Sequence, residues 1–324
     1  MNYLQRLLLI ALLLSGPSLL HHSSATAGEG GSSHYNPGTL GDFAMALIGP
    51  AGWYVRNDLW YMDGEMGAVT RGNFTLQDVS QKAWINTIKT IYLTESGVWG
   101  GRVGNVLSVP IVLDVDVDST LVGTGLEKSG SRSGISDLTY TFFLNWHKNE
   151  FNYSVGLNTY IPVGYYDVDS IINLGRNYWS FDPALTFTWL HPQRGHEISL
   201  ITGVMFNTEN SDTSYQTGTE FHLDWNIAQH FSKSFAVGFI GYYYKQISDD
   251  EGPLLDKLNG ILVSSGGQSK DGFRGEALGL GAAATFTTEV ASTNLSFIVK
   301  YLANIDNSNR LSNDYLTFSI ALPL

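Results

Sequence analysis

Along most of this chain, apolar and polar side chains trade places at every second position. In "DLTYTFFLNWH", Leu138, Tyr140, Phe142, Leu144 and Trp146 fall on one face, and Asp137, Thr139, Thr141, Phe143, Asn145 and His147 on the other. In "WSFDPALTFTWL", Trp179, Phe181, Leu185, Phe187 and Trp189 oppose Ser180, Asp182, Ala184, Thr186 and Thr188. In "TEFHLDWNIAQHF", Phe221, Leu223, Trp225, Ile227 and Phe231 oppose Glu220, His222, Asp224, Asn226 and His230. A period of two is the signature of a β-strand with one oily and one wettable side. Read this way, the chain predicts about twelve strands, from Trp53–Met62 and Trp84–Glu95 through to Asp314–Leu322. In the second of these, Trp84, Ile88 and Tyr92 compete with Ile85, Ile91 and Leu93 for the outer face. Many of the runs exceed the roughly five or six residues usual in soluble sheets. They match the roughly nine to eleven that a tilted strand needs to cross a bilayer. Trp146, Trp179, Trp189, Tyr243 and Tyr301 gather near strand ends, where an interfacial girdle sits.

The connections sort into two kinds. "KNE", "HPQRG", "FSK" and "TTEVA" are short. "VDSTLVGTGLEKSGSRSG", "VGYYDVDSIINLGR" and "SDDEGPLLDKLNGILVSSGGQSKDG" are long and alternate with them. A β-sandwich has no reason to sort its loops in this way, whereas outer-membrane barrels have short periplasmic turns and long external loops. In lipid every backbone polar group must be paired, so the sheet has to close. The predicted fold class is therefore all-β, a transmembrane antiparallel up-and-down barrel of about twelve strands. An even count leaves both termini periplasmic. Twelve tilted strands give a backbone diameter of roughly 24 Å, wide enough for a small-molecule path if something narrows it.

The start of the chain changes the picture in one respect. Arg6, the apolar run Leu7 to Leu14, and the small-x-small Ala25-Thr26-Ala27 form a secretory leader, so residues 1–27 are set apart as a signal peptide. Its loss removes Arg6 and no acid, taking the net charge from −12 to −13. So acidic a chain is a poor partner for nucleic acid. There is no cysteine, hence no disulfide framework. The leader and the strand pattern together point to the outer membrane of a Gram-negative bacterium. The expected partners are outer-membrane lipids, the outer-membrane assembly machinery and a small hydrophobic or aromatic solute. Residues 53–324 form the barrel, and residues 28–52 precede it.

That leading segment contains the turn-rich "SHYNPGTLGDF" and the apolar "FAMALI". Three placements are open to it: inserted in the lumen as a constriction, paired as a wall strand, or left as a periplasmic tail. The stretch from Glu29 to Gly64 resembles the opening of the outer-membrane proteins of the meta-pathway phenol-degradation family. The likeness rests on His34, Tyr35, Pro37, Gly38, Asp42, Phe43, Pro50, Gly52 and Tyr54, a Gly-rich His-Tyr-x-Pro-Gly segment running into a Tyr-rich first strand. The resemblance implies an outer-membrane barrel linked to uptake of aromatic or other hydrophobic compounds.

Candidate chemistry is sparse. On the polar face, Glu220, His222 and Asp224, with Asp182 and Lys300, are expected to line the lumen, with Lys300 and Asp182 pairing across it or with Asp224. His34, Tyr35 and Asp42 join them as constriction candidates if the leading segment inserts. Consecutive same-face side chains on a strand stand about 6.6 Å apart and do not converge on a metal. "DVDVDS" lacks the Gly and Glu of a calcium loop, so Asp114, Asp116 and Asp118 read as an acidic external mouth. No metal site and no cofactor is expected. Phe143, Tyr160, Tyr242, Tyr244 and Tyr315 intersperse the polar face with rings, as suits an amphipathic solute. The leading reading is a passive channel for small hydrophobic or aromatic compounds. The first alternative is a plugged barrel acting as receptor or adhesin through its long loops. The second is a lipolytic enzyme, for which Ser131 and Ser133 lie in a loop with no histidine nearby in sequence.

Overall fold

The computed structural model describes residues 28–324 apart from 96 and 265–270; the proposed leader lies outside the described residues. The strands are β1 (Gly52–Arg71), β2 (Phe74–Leu93), β3 (Arg102–Leu121), β4 (Glu127–Ile135), β5 (Leu138–Lys148), β6 (Phe151–Ile161) and β7 (Ser180–Leu190). They continue with β8 (His196–Asn207), β9 (Glu220–His230), β10 (Phe235–Gln246), β11 (Glu276–Val290), β12 (Thr293–Ser308) and β13 (Ser312–Pro323). One α-helix, α1 (Pro253–Ser264), lies in the loop between β10 and β11. Apart from β4 and β5, which both pair with β3, each strand pairs antiparallel with its sequence neighbour, and β1 pairs with β13, so the sheet closes as predicted. β4 and β5 are two halves of one wall strand, because β4 pairs with the far half of β3 and β5 with its near half. The closed wall thus has twelve strands among the described residues.

The outward face is the oily one. On β6, Phe151, Tyr153, Val155 and Leu157 are exposed while Asn152, Ser154, Asn158 and Tyr160 are buried inside. The ambiguity in β2 resolves cleanly: Trp84, Ile88 and Tyr92 are the exposed set, and Leu93 is buried. The first three strands run far beyond their predicted lengths, each twenty residues, and β1 turns into β2 through Gly72 and Asn73 alone. What the alternation missed there is an extension whose inner side, with Met66, Val69, Leu76 and Val117, packs as a small apolar core. The stretch around Ser131 and Ser133, expected as loop, is β4.

The break between β4 and β5 has a local cause. Pro110, in the middle of β3, has no N–H to offer, and Gly134 adopts φ 152°, a conformation favouring glycine. The wall strand leaves the ladder at Ser136, whose N–H still reaches Pro110 O at 3.0 Å. Beyond it β4 has a partner on one side only among the described residues. The loop between β6 and β7 folds over the free side. Asp137 gathers that loop, accepting hydrogen bonds from Gly164 N at 2.8 Å and Arg176 N at 2.7 Å, and Ser136 donates to Leu174 O at 2.5 Å.

The wall begins and ends at the end with the short turns, since Tyr54 lies opposite Pro323. The segment ahead of it does not stay there. From Ala46 to Tyr35 it bonds to inward-facing side chains of β7, β12 and β9, and Gly28 N reaches Asp250 in the long β10–β11 loop at the opposite end, so the first and last described residues are not on one side. The even strand count fixes where the wall ends; it does not constrain a chain that runs back up the middle.

Candidate functional site

The threaded segment, Gly28 to Ala51, is held by side chains that alternation had placed inside. At the long-loop end, Glu29 accepts hydrogen bonds from Asn210 Nδ2 at 2.7 Å and Tyr166 OH at 2.9 Å. Burial raises its pKa above the ordinary carboxylate range, against those hydrogen bonds and the nearby Arg176. Arg310 donates to Tyr35 O at 2.7 Å. Tyr35 donates to Asp224 Oδ2 at 2.6 Å and stacks on His222, ring centroids 4.2 Å apart. His222 in turn faces Asp182 Oδ1 at 3.0 Å, and Asn158 donates to the other oxygen of that carboxylate at 2.9 Å. Glu220, His222, Asp224, Asp182 and Lys300 are all buried.

Lower in the lumen, Lys300 donates to Gly41 O at 2.6 Å. It pairs with neither Asp182 nor Asp224, as had been expected, because the segment lies between them and supplies the acceptor. Asp42 forms an ion pair with Arg56, which also donates to Asp58 at 2.6 Å, while Lys89 sits 2.9 Å from the other Asp58 oxygen. Near the exit, Ala44 N donates to Glu197 at 2.6 Å, Ala46 N to Thr188 at 2.9 Å, and Asn145 donates to Ala46 O at 2.7 Å. The Pro37-Gly38 turn has its own reason. At Gly38 φ is 83°, and a Cβ there would sit 2.7 Å from both Leu302 and Tyr242.

His34 leans the other way, toward the broken strand. Its Nε2 lies 2.9 Å from Asp137 Oδ2 and its Nδ1 lies 2.7 Å from Ser180 Oγ, between the rings of Tyr160 and Tyr178. Burial lowers the imidazole pKa, against the pull of the Asp137 hydrogen bond. Asp, His and Ser are the members of a hydrolytic triad, but this group is not built as one. Ser180 is fully buried, and its single proton is contested by Asn207 Oδ1 at 2.5 Å. The group ties the segment to the wall and to the loop over β4. Ser131 and Ser133, in β4, are not part of it.

Beside the segment, and partly lined by it, lie two cavities. The larger, about 540 Å³, runs from Leu47, Ile91 and Val106 up past Thr141 and Asn158. The smaller, about 140 Å³, lies under the long-loop end between Arg71, Tyr166 and Leu311. Asn36, Met62, Ile85, Ser136, Leu174 and Arg176 line both and stand between them, a group called the neck below. Of the predicted constriction residues, His34 and Asp42 border the larger cavity and Tyr35 is packed behind them. Asp182, Glu220, His222, Asp224 and Lys300 border neither cavity. Asp114, Asp116 and Asp118 are exposed on the outer surface of the wall extension, opposite buried Val115 and Val117. Asp116 and Asp118 share a shallow hollow with Lys82 and Ser129.

Residues 67–320 match the family model described as "Putative MetA-pathway of phenol degradation". The chain belongs to this family. Its fold is similar to that of the COG4313 outer membrane channel from Pseudomonas putida F1, at 13% identity and a TM-score of 0.65, over 86% of this chain and 98% of that one. A Pseudomonas aeruginosa FadL homologue aligns over 92% of this chain and 97% of its own, at 9% identity and a TM-score of 0.39. No curated protein matches the sequence. His34 and Tyr35, which precede the matched residues, touch Asp137 and Asp224 respectively.

Proposed function

We propose that this family member is an outer-membrane channel that passively admits small hydrophobic or aromatic compounds. The short turns then face the periplasm and the long loops the exterior. The observation that carries this reading is the pair of adjacent cavities that share the six residues of the neck. Together they follow the lumen along β1, β2, β3, β5 and β6, reaching Thr186 of β7 and Ile201 of β8, and the larger is of the size of a small-molecule site, roughly 300–1,000 Å³. The neck has Met62, Ile85 and Leu174 for an apolar body and Asn36, Ser136 and Arg176 for a polar handle. A guanidinium also suits the face of an aromatic ring. A phenol-like solute presents both features; a hydrated inorganic ion presents neither.

The break in the wall supports the same reading. Ser136 lines both cavities at the point where the ladder parts, and β4 is flanked there by a loop rather than a strand. In this reading, movement of the loop over β4 would give an oily solute a side exit from the lumen at this point. Family membership and the likeness of fold to an outer membrane channel are in keeping with this. The test is uptake of phenol into liposomes holding the purified protein, with Leu174→Trp as the blocked form. Uptake should exceed that of protein-free vesicles and fall most of the way back in the variant. Equal uptake by empty, wild-type and variant vesicles would sink the proposal.

A further inference from the structure

At the long-loop end, one buried carboxylate is fully bonded yet has no cation. Asp250 is 4% exposed. Its Oδ1 accepts from Gly218 N at 2.7 Å and Gln246 Nε2 at 2.6 Å, and its Oδ2 from Tyr215 OH at 2.5 Å and Gly28 N at 2.7 Å. Counted as amides and a phenol, all four donors are neutral. With those alone, burial pushes the Asp250 carboxyl up to about 6. No Lys, Arg or His pairs with it among the described residues; the neighbouring Arg274 is taken by Asp249 at 2.6 Å.

Two further observations bear on the fourth donor. Position 28 has no room for a side chain, because a Cβ would stand 2.9 Å from Ser32 O and 3.4 Å from Thr217 Cγ2. Ala25-Thr26-Ala27 is a small-x-small pattern whose cut falls immediately before Gly28. We propose that the leader is removed between Ala27 and Gly28, and that the α-ammonium group so created is the cation of this socket, pinning the threaded segment to the loops by an ion pair with Asp250. Water adds across the Ala27–Gly28 amide under a leader peptidase, giving an acid on Ala27 and an amine on Gly28. The proton passes from acid to amine, so the leader departs as a carboxylate and the barrel keeps an ammonium. The same cut that frees the chain from its leader thereby supplies the charge that Asp250 lacks. The inference is independent of what the channel carries.

The test begins with the intact mass of the full mature protein taken from outer membranes, which should correspond to a chain starting at Gly28. Its α-amine is then challenged with an amine-selective acylating ester at neutral pH, in three forms: wild type, Asp250→Asn, and a form with one extra glycine inserted between Ala27 and Gly28. A docked ammonium reacts only when it opens locally, so acylation should be roughly tenfold or more faster in both variants than in wild type. Heat-modifiable migration on gels shows that each barrel is folded. Should Asp250→Asn fail to fold, the glycine insertion against wild type decides the matter. A mature mass beginning elsewhere, or a wild-type amine acylated as fast as that of a folded variant, would overturn the proposal.

Discussion

The two sides of the lumen solve opposite problems with the same wall. From β7 round to β13, inward polar groups are bonded to the threaded segment: Asp224 to Tyr35, Lys300 to Gly41, Glu197 to Ala44. From β1 to β6 the inner face mixes Met62, Ile85 and Ile91 with Thr141, Asn158 and the charged Arg56 and Lys89, and the space beside it stays open as two cavities. A buried charge is costly unless it is paired, so the charged side cannot be left open to an oily solute and must be covered. On the open side the charges are already paired with one another, Arg56 with Asp42 and Asp58 and Lys89 with Asp58, so the wall there needs no further cover. The segment is therefore a lining that closes one half of the barrel and leaves the other as a path.

Removing the lining should erase the difference. Deleting residues 28–49 leaves β1 intact and uncovers Asp182, Glu220, Asp224 and Lys300 to water. Single-channel conductance should rise severalfold, the largest effect of any change considered for the pore. A deletion mutant that folds yet conducts like wild type would show that the cavities, and not the segment, set the limit. The next largest effect should come from Asp137, which joins the two sides. Asp137→Ala takes an acceptor from Gly164 N, Arg176 N and His34 at once. Left buried without a partner, each such donor costs about 1–3 kcal/mol. The loop over β4 should then be cut faster by protease, and phenol uptake should rise while the barrel stays folded. Unchanged proteolysis would mean that the loop's other contacts, among them Ser136 to Leu174 O and Arg71 to Ile171 O, hold it without Asp137.

How far the chain announces this difference depends on which kind of contact is asked about. Strand direction, the closed wall, the oily exterior and the inward placement of Glu220, His222, Asp224, Asp182 and Lys300 follow from a period of two, because each is a property of one strand and its pleat. Their partners do not. Tyr35 meets Asp224, and Gly41 meets Lys300, only because a segment with no repeat of its own lies in the lumen at one depth. The neck was missed for a similar reason: Ser136 sits at a break in the ladder, and Arg176 in a loop that folds back. The signal available was small, Pro110 in a run that otherwise reads as a central strand. The twenty-residue lengths of β1 to β3 were hidden because above the membrane the outer face no longer has to be oily, as Lys82, Asp116 and Asp118 show.

Acid should act on the same seam as Asp137→Ala, more gently. His34 faces Asp137, Ser180, Tyr160 and Tyr178, with Arg176 nearby. Its pKa in place lies below the ordinary 6.5, so below that pH the undocked segment binds the proton more readily than the docked one. Stability of docking is therefore intact above about pH 6.5 and declines as pH falls through the window beneath it. Amide exchange of residues 34–46 should quicken between pH 7.5 and 5.5, and His34→Gln should flatten that dependence. Faster exchange at the higher pH, after correction for intrinsic rates, would reverse the sign and refute this account.

The smallest effect is expected where the sequence had suggested a selective mouth. Asp116 and Asp118 stand on the outside of the extension, beyond a wall whose inner face there is Val115 and Val117. Charges in water are screened within about 8 Å at physiological salt, and surface substitutions away from buried networks usually lie within about 0.5 kcal/mol. The double substitution Asp116→Asn with Asp118→Asn should therefore leave both stability and phenol uptake unchanged, and shift the reversal potential under a salt gradient only slightly and only at low ionic strength. A large shift that persists at high salt would put these carboxylates on the conducting path. It would also make the open half of the lumen as charged at its outer end as the lined half, removing the contrast between the two.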